Sequence, residues 1–155
     1  MKDAMTIASY ICSRYEAEQG ERIDEMKLHK LLYLAQRESL IRTGEPLFAE
    51  DFYGWRFGPE LPQIRENYKN DTFQPISDQQ LGADKATLDA VFESYARKDS
   101  WSLSRLTHGE ICWKKSRKGI APNESSNNRI PLADIRLDAD RMKERRELLD
   151  PDNQL

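Results

Sequence analysis

The chain has few cysteines for a protein of 155 residues. Cys12 and Cys112 are the only two, and they are far apart in the sequence. Such a pair forms neither a disulfide framework nor the closely spaced ligands of a zinc site, and a reducing compartment suits it best. We therefore expect each cysteine to be a small buried apolar residue, and we expect a cytoplasmic protein.

Long apolar runs are also missing. The N-terminal segment carries charges throughout, which is not typical of a secretory signal peptide. No stretch approaches the roughly 18 consecutive apolar residues that span a bilayer. The sequence thus predicts no membrane partner.

Neither sign of charge is in large excess. The chain has 24 basic and 27 acidic residues, for a formal net charge of -3. Because nucleic-acid binding depends mainly on concentrated lysine and arginine, a nucleic acid is not the expected partner. Residues 114–118 form a local basic run after Trp113. Such a run is typical of a solvated helix end, and a small nucleic-acid-binding regulator is the alternative interpretation.

Motifs for catalysis and cofactor binding are absent from the sequence. There is no glycine-rich phosphate loop, no dinucleotide fingerprint, no HExxH zinc motif and no nucleophile elbow. The sequence accordingly predicts no catalytic residue, no cofactor and no metal site, and we do not expect an enzyme.

The two histidines are the remaining candidates for acid–base chemistry. His29 lies within a long helical pattern, where a boundary position is the more common role. For His108 we expect a structural role, with Thr107 or His108 capping a short helix that carries Glu110 and Trp113. The enzymatic alternative is a His108–Glu110 acid–base pair, which requires both side chains to line one cleft.

Helical periodicity dominates the rest of the chain. Apolar residues recur at three- and four-residue steps in segments 2–18, 24–42, 84–97 and 131–149. We predict a mainly all-α, compact, single-domain helical bundle. The predicted organisation is a core over residues 1–120, a polar loop over 121–130, a charged helix over 131–149 packing on the same domain, and a tail over 150–155.

Residues 51–62 interrupt this helical pattern. They read DFYGWRFGPELP, and such a density of glycine and proline excludes a continuous helix. We expect an irregular aromatic segment between helices, and a very short strand pair is compatible with it. Most of its rings should fill the core, whereas Trp55 and Arg56 are of the residue types that anchor partner interfaces.

Three stretches, taken together, are similar to a known family. The first is MKLHKLLYLAQ over residues 26–36, the second runs from GEPLF at Gly44 through FYGWRFGP, and the third is LSRLTHGE followed by Trp113. In this order they resemble the Panacea antitoxin family, which includes the SocA-like antitoxins. The resemblance covers about residues 5–120.

The resemblance implies an all-α antitoxin that neutralises a cognate protein toxin, encoded by an adjacent gene, through direct one-to-one binding. Prophage association and a homodimer are compatible with it. A proteolytic adaptor that delivers the toxin or another client to a protease is the alternative, as in some relatives. Two departures stand out: Glu60 follows the Gly-Pro pair where the family commonly has an apolar residue, and we expect no separate DNA-binding module ahead of the domain.

The resemblance also divides the candidate residues into two groups. Those that match the family motifs are expected to maintain the fold, namely Leu28, Leu31, Tyr33, Gly58, Pro59, Thr107, His108 and Trp113. Those expected to bind the partner lie in the aromatic segment and the last helix, namely Tyr53, Trp55, Arg56, Phe57, Arg141 and Arg145.

Overall fold

A computed structural model describes residues 1–150 of the chain. The structure is mainly helical with a small antiparallel sheet, which confirms the predicted fold class. Residues 151–155, which make up most of the predicted tail, lie outside the described part. The elements are α1 (Ala4–Gln19), α2 (Glu25–Thr43), β1 (Phe52–Trp55), β2 (Gly58–Glu60), α3 (Pro62–Asn70), α4 (Asp78–Leu81), a 3-10 turn (Gly82–Asp84), α5 (Lys85–Tyr95), α6 (Ser100–His108), α7 (Ile111–Ser116), β3 (Arg129–Ile130) and α8 (Leu132–Leu149).

Helix α2 lies at the centre of the fold. The side chain of Asp24 caps its N-terminus by accepting a backbone hydrogen bond of 2.8 Å, and Gly44 ends it with φ +78°. Helices α1, α5, α6 and α8 all pack against it. Consequently α2 is buried on nearly every side and not along a single stripe, so that Lys30 and Arg37 are as inaccessible as Leu31.

The aromatic segment forms a β-hairpin over residues 52–60. β1 pairs antiparallel with β2, and a two-residue turn joins them between the facing residues Trp55 and Gly58. β3 pairs with the other edge of β1, which gives the sheet order β2-β1-β3. Strand alternation turns Phe52 into the core and leaves Tyr53 partly exposed, on the same face as Trp55.

Two glycines allow the hairpin to lie directly on the helices. Gly58 has φ +128°, and a Cβ at this position would lie 2.7 Å from both Lys30 Cε and Thr107 Oγ1. A Cβ at Gly54 would overlap the side chain of Ser116. The hairpin backbone is therefore in close contact with α2, α6 and α7, and a larger residue at either glycine would displace it.

Helix α7 is capped from a distant part of the chain. The expectation that Thr107 or His108 caps it is wrong, because the Thr107 hydroxyl donates to the carbonyl of Ser104 within α6 at 2.9 Å. Instead, the carboxylate of Asp138 on α8 accepts the first two backbone N–H groups of α7, each at 2.8 Å. Two of the open donors at this helix end are thereby satisfied.

Helix α8 packs along α2 and α7. Its inner side carries Ile135 and Ala139, and Arg146 donates two hydrogen bonds of 2.9 and 2.8 Å to Glu38 of α2. Its outer side is charged and exposed. Across residues 1–150, none of the helices combines the length and the apolar character that crossing a bilayer requires.

Candidate protein-binding surface

The hairpin turn presents an arginine between two aromatic side chains. Arg56 is exposed, whereas Trp55 and Phe57 are half-buried. The Arg56 guanidinium lies 4.9 Å from the centroid of the Phe57 ring, within cation–π range. Tyr53 is also half-buried. The structure thus brings together on one hairpin the four aromatic-segment residues that were predicted to bind a partner.

An open cleft of about 660 Å³ lies beside this turn and is lined by Trp55 and Arg56. Helix α3 contributes Arg65, whose guanidinium carbon lies 5.7 Å from the Trp55 ring centroid. Residues 125–127 contribute to the lining from another part of the chain, and the Trp55 indole N–H donates to Asn127 Oδ1 at 3.2 Å. The cleft therefore combines an aromatic wall with two guanidinium groups and one carboxylate, that of Glu60.

Trp101 extends the aromatic surface on the other side of the turn. Its ring meets that of Phe57 edge-on at 5.6 Å, and 58% of the residue is exposed. Arg105, about one turn further along α6, is also exposed. Trp101 was not predicted as a partner-binding residue, although its position on α6, on the side opposite the buried Leu103, was a usable signal. We call the following set the hairpin surface: Trp55, Arg56, Phe57, Arg65, Trp101 and Arg105.

The turn is held from behind by side chains of α6 and α7. The indole N–H of Trp113 donates to the carbonyl of Trp55 at 2.8 Å, and the hydroxyl of Ser104 donates to the carbonyl of Phe57 at 2.6 Å. The imidazole of His108 stacks on Trp113, with 4.1 Å between ring centroids and 12° between planes. These contacts fix the backbone from which the exposed side chains project.

The basic run over residues 114–118 does not form a continuous cationic patch. Arg117 is buried and donates to the carbonyl of Gly54 at 3.0 Å and to two carbonyls of the following loop at 2.9 and 2.6 Å. Lys115 pairs with Asp134 at 3.0 Å. The interpretation of this run as a solvated helix end is therefore wrong for Arg117, which ties the loop to β1.

A buried ion pair lies beneath the hairpin. Lys30 is fully buried, and its Nζ lies 3.4 Å from Oε1 of Glu60. Burial lowers the pKa of Lys30, and the nearby carboxylate opposes that shift. The pKa of His108 is lowered as well, first by burial and then by the charge of Lys30. Glu60, which the sequence marked as a departure from the family that the chain resembles, is therefore the partner of a buried lysine.

Glu110 points toward α2 and away from the hairpin surface. Its carboxylate accepts hydrogen bonds from Arg37 and Tyr33, each at 2.7 Å. Burial raises the pKa of Glu110, and the Arg37 charge opposes the shift. His108 contacts a different set of groups, so the geometry does not assemble the acid–base pair. Within residues 1–150, no three or more His, Cys, Asp or Glu side chains are grouped to hold a metal ion.

The remaining motif residues lie in the interior. His29 is fully buried, where a boundary position was expected. Its Nδ1 accepts the backbone N–H of Leu61 at 3.2 Å, and its Nε2 lies 3.3 Å from Glu25. The other buried motif residues are Leu28, Leu31, Tyr33, Gly58, Pro59 and Thr107.

The two predicted arginines of the last helix lie apart from the cleft. Arg141 and Arg145 are both exposed on α8, and neither lines the cleft beside the hairpin. Nη1 of Arg141 lies 3.8 Å from Oδ1 of Asp138, the residue that caps α7. The structure therefore does not join these two residues with the hairpin residues in one cleft.

The motif-bearing elements correspond to a known domain. The chain matches the family described as antitoxin SocA-like, Panacea domain, over residues 28–114. This chain belongs to the SocA-like Panacea antitoxin family. No curated protein and no solved structure matches it. In this Panacea protein the matched segment runs from α2 into α7 and contains the whole hairpin surface, whereas residues 125–127 and α8 lie beyond it.

Proposed function

We propose that this chain is the antitoxin of a toxin–antitoxin system and neutralises a cognate protein toxin, encoded by an adjacent gene, by binding it directly. Membership of the Panacea family supports the system. The observation that carries the binding mode is the hairpin surface, where the exposed Trp101 and the half-buried Trp55 and Phe57 lie beside exposed arginines. Tryptophan, tyrosine and arginine dominate the energetics of protein–protein interfaces.

The rigidity of the turn supports this proposal. Hydrogen bonds from Trp113 and Ser104 hold two consecutive parts of the hairpin backbone, at 2.8 and 2.6 Å. A surface that is already ordered loses less conformational entropy when a partner binds. The exposed rings therefore suit a direct one-to-one complex in which the toxin is occluded.

Occlusion requires no chemistry from the antitoxin itself. The two side chains considered for acid–base catalysis have structural partners instead, since His108 stacks on Trp113 and Glu110 pairs with Arg37. We infer that this chain acts as a binding protein and that its effect on the toxin ends when the complex dissociates.

Growth of a host that expresses the adjacent reading frame tests the proposal. We expect the neighbour alone to stop growth and co-expression of this chain to restore it. Trp101→Ala and the double variant Trp55→Ala, Arg56→Ala should weaken the rescue, whereas Leu137→Ala, which truncates a 46% exposed residue of α8, should not. A harmless neighbour would contradict the antitoxin function, and full rescue by all variants would contradict the surface.

Toxin abundance separates occlusion from the adaptor mechanism. If this chain occludes the toxin, an immunoblot will show an undiminished toxin level in rescued cells, and the two proteins will co-purify. If the toxin disappears on co-expression and persists in a protease-deficient host, delivery to a protease replaces occlusion as the mechanism.

A further inference from the structure

The hairpin surface carries positive charge that no carboxylate neutralises at close range. Arg56, Arg65 and Arg105 are exposed, and among residues 1–150 none of them has a carboxylate oxygen within 4.0 Å. Elsewhere in the fold, Arg37 and Arg146 have carboxylate partners at 2.7 and 2.8 Å. Three arginines without a close carboxylate thus lie on one surface of a chain whose net charge is -3.

Three carboxylates near the hairpin surface have other partners. Glu60 lies 3.4 Å from the buried Lys30, and Glu25 lies 3.3 Å from the ring of His29. Asp99 caps α6 by accepting a backbone N–H at 2.9 Å. The charges of Glu25 and Asp99 still act on Arg65 and Arg105, but neither carboxylate lies within 4.0 Å of them. The guanidinium N–H groups of Arg56 and Arg65 therefore remain available to an external anion.

Two of these guanidinium groups are placed over aromatic rings. Arg56 lies 4.9 Å from the ring centroid of Phe57, and Arg65 lies 5.7 Å from that of Trp55. A guanidinium placed in this way can still use its N–H groups for a two-pronged contact with a carboxylate. Each arginine thus provides a carboxylate site next to an apolar ring.

The shape of the surface favours a polypeptide over a small molecule or a nucleic acid. The cleft is open, and the aromatic surface continues past Phe57 to the exposed Trp101. Small molecules prefer sites that enclose most of their surface. A nucleic acid needs a denser array of cations, yet Lys115 is paired with Asp134 and Arg117 is buried.

We propose that the hairpin surface receives an acidic segment of the toxin, with its carboxylates bound by Arg56 and Arg65 and an apolar side chain packed on Phe57 and Trp101. The identity of the partner as the toxin rests on the proposed function. The arginines of this site lie within the family segment, whereas residues 125–127 line the same cleft from outside it.

Charge reversal measured on the purified full-length chain and the adjacent-gene protein tests this inference. The double variant Arg56→Glu, Arg65→Glu should bind about tenfold more weakly or worse. Added salt should weaken wild-type binding and have less effect on the variant. The matched control is Arg97→Glu, an exposed arginine of another face, which should retain wild-type affinity. Circular dichroism checks that each variant is folded. If the Glu double variant is unfolded, the double variant Arg56→Gln, Arg65→Gln is measured in its place.

Cross-linking identifies the segment that occupies the surface. A photo-reactive phenylalanine analogue at Phe57 should attach to a stretch of the toxin that contains Asp or Glu, and a Lys substitution of that acidic residue should restore affinity to the charge-reversed variant. If the charge-reversed variant binds the toxin as tightly as the wild type, and the wild type still rescues growth, the acidic-segment inference is wrong and the antitoxin function stands. Absence of binding and rescue by the wild type overturns the antitoxin function instead. Binding of random duplex DNA that the same reversal abolishes would reassign the surface to nucleic acid.

Discussion

The indole N–H of Trp113 donates a hydrogen bond of 2.8 Å to the backbone carbonyl of Trp55, 58 residues earlier in the chain. This bond joins the end of β1 to α7. It also joins two of the stretches on which the family resemblance was based, the aromatic Gly-Pro segment and the Thr-His segment with its tryptophan. Trp113 therefore positions a turn whose neighbouring side chains can contact a partner.

Trp113→Phe tests this bond. Phenylalanine keeps an aromatic ring against His108 but has no N–H, so the carbonyl of Trp55 loses its donor. We expect the free energy of unfolding to fall by about 1–2 kcal/mol, together with weaker toxin binding. Urea denaturation measures the stability. Trp101→Phe is the matched control, because Trp101 is 58% exposed and should change stability by less than about 0.5 kcal/mol. Equal unfolding midpoints for all three proteins would show that the bond is dispensable.

Local signals made much of the fold predictable from the sequence. The bounds of α2 follow from Asp24, which caps its N-terminus, and from Gly44, which takes the left-handed conformation at its end. The break in the helical pattern at residues 51–62 follows from glycine and proline. These features depend on neighbours within a few positions, so a single sequence is enough to reveal them.

Features set by distant residues could not be predicted. An apolar stripe on α2 implies that its charged residues face solvent, yet Arg37 finds its partner Glu110 73 positions away. Asp138 caps α7 from 27 positions along the chain, which is why a neighbouring residue was assigned the role wrongly. Contacts of this kind are determined by tertiary packing and leave no local pattern.

Gly58→Ala should be strongly destabilising. Gly58 has φ +128°, which a residue with a side chain rarely adopts, and the added Cβ would lie 2.7 Å from both Lys30 and Thr107. Backbone strain and overpacking together should cost about 2 kcal/mol or more. Gly119→Ala is the control for the backbone strain alone, because Gly119 has φ +82° and no neighbouring heavy atom would lie within 4 Å of a Cβ there. This control should cost about 1 kcal/mol. Thermal unfolding of both variants measures the difference, and equal losses would exclude a tight hairpin contact.

Asp138→Ala should loosen α7 selectively. The substitution removes two hydrogen bonds of 2.8 Å to the start of α7, and loss of such a cap costs about 1–2 kcal/mol. Amide hydrogen exchange should accelerate in α7 more than in α2. Asp140→Ala, at an exposed position of the same helix, is the control and should leave exchange unchanged. Uniform acceleration throughout the chain would indicate that Asp138 supports the whole fold and not this helix end.

His108 should make stability depend on pH in the weakly acidic range. Burial, reinforced by the charge of Lys30, lowers the pKa of this imidazole in the folded protein below its ordinary value of 6.5. The unfolded chain therefore takes up the proton first as the pH falls. Because the unfolded state binds more protons in this window, the free energy of unfolding decreases from about pH 6.5 down to the folded pKa and is fully restored above pH 6.5.

The variant His108→Gln isolates that contribution. Glutamine cannot titrate, so its unfolding midpoint in urea should change less between neutral and weakly acidic pH than that of the wild type. Carboxylates such as Glu25, whose pKa is lowered mainly by its hydrogen bond with His29, titrate at lower pH. They are present in both proteins, so their contribution to stability cancels when the two profiles are subtracted. Parallel profiles would mean that His108 has the same pKa in the folded and the unfolded chain. That result would also contradict the close stacking on Trp113, since the burial that lowers the pKa and the contact that supports the hairpin turn arise from the same packing.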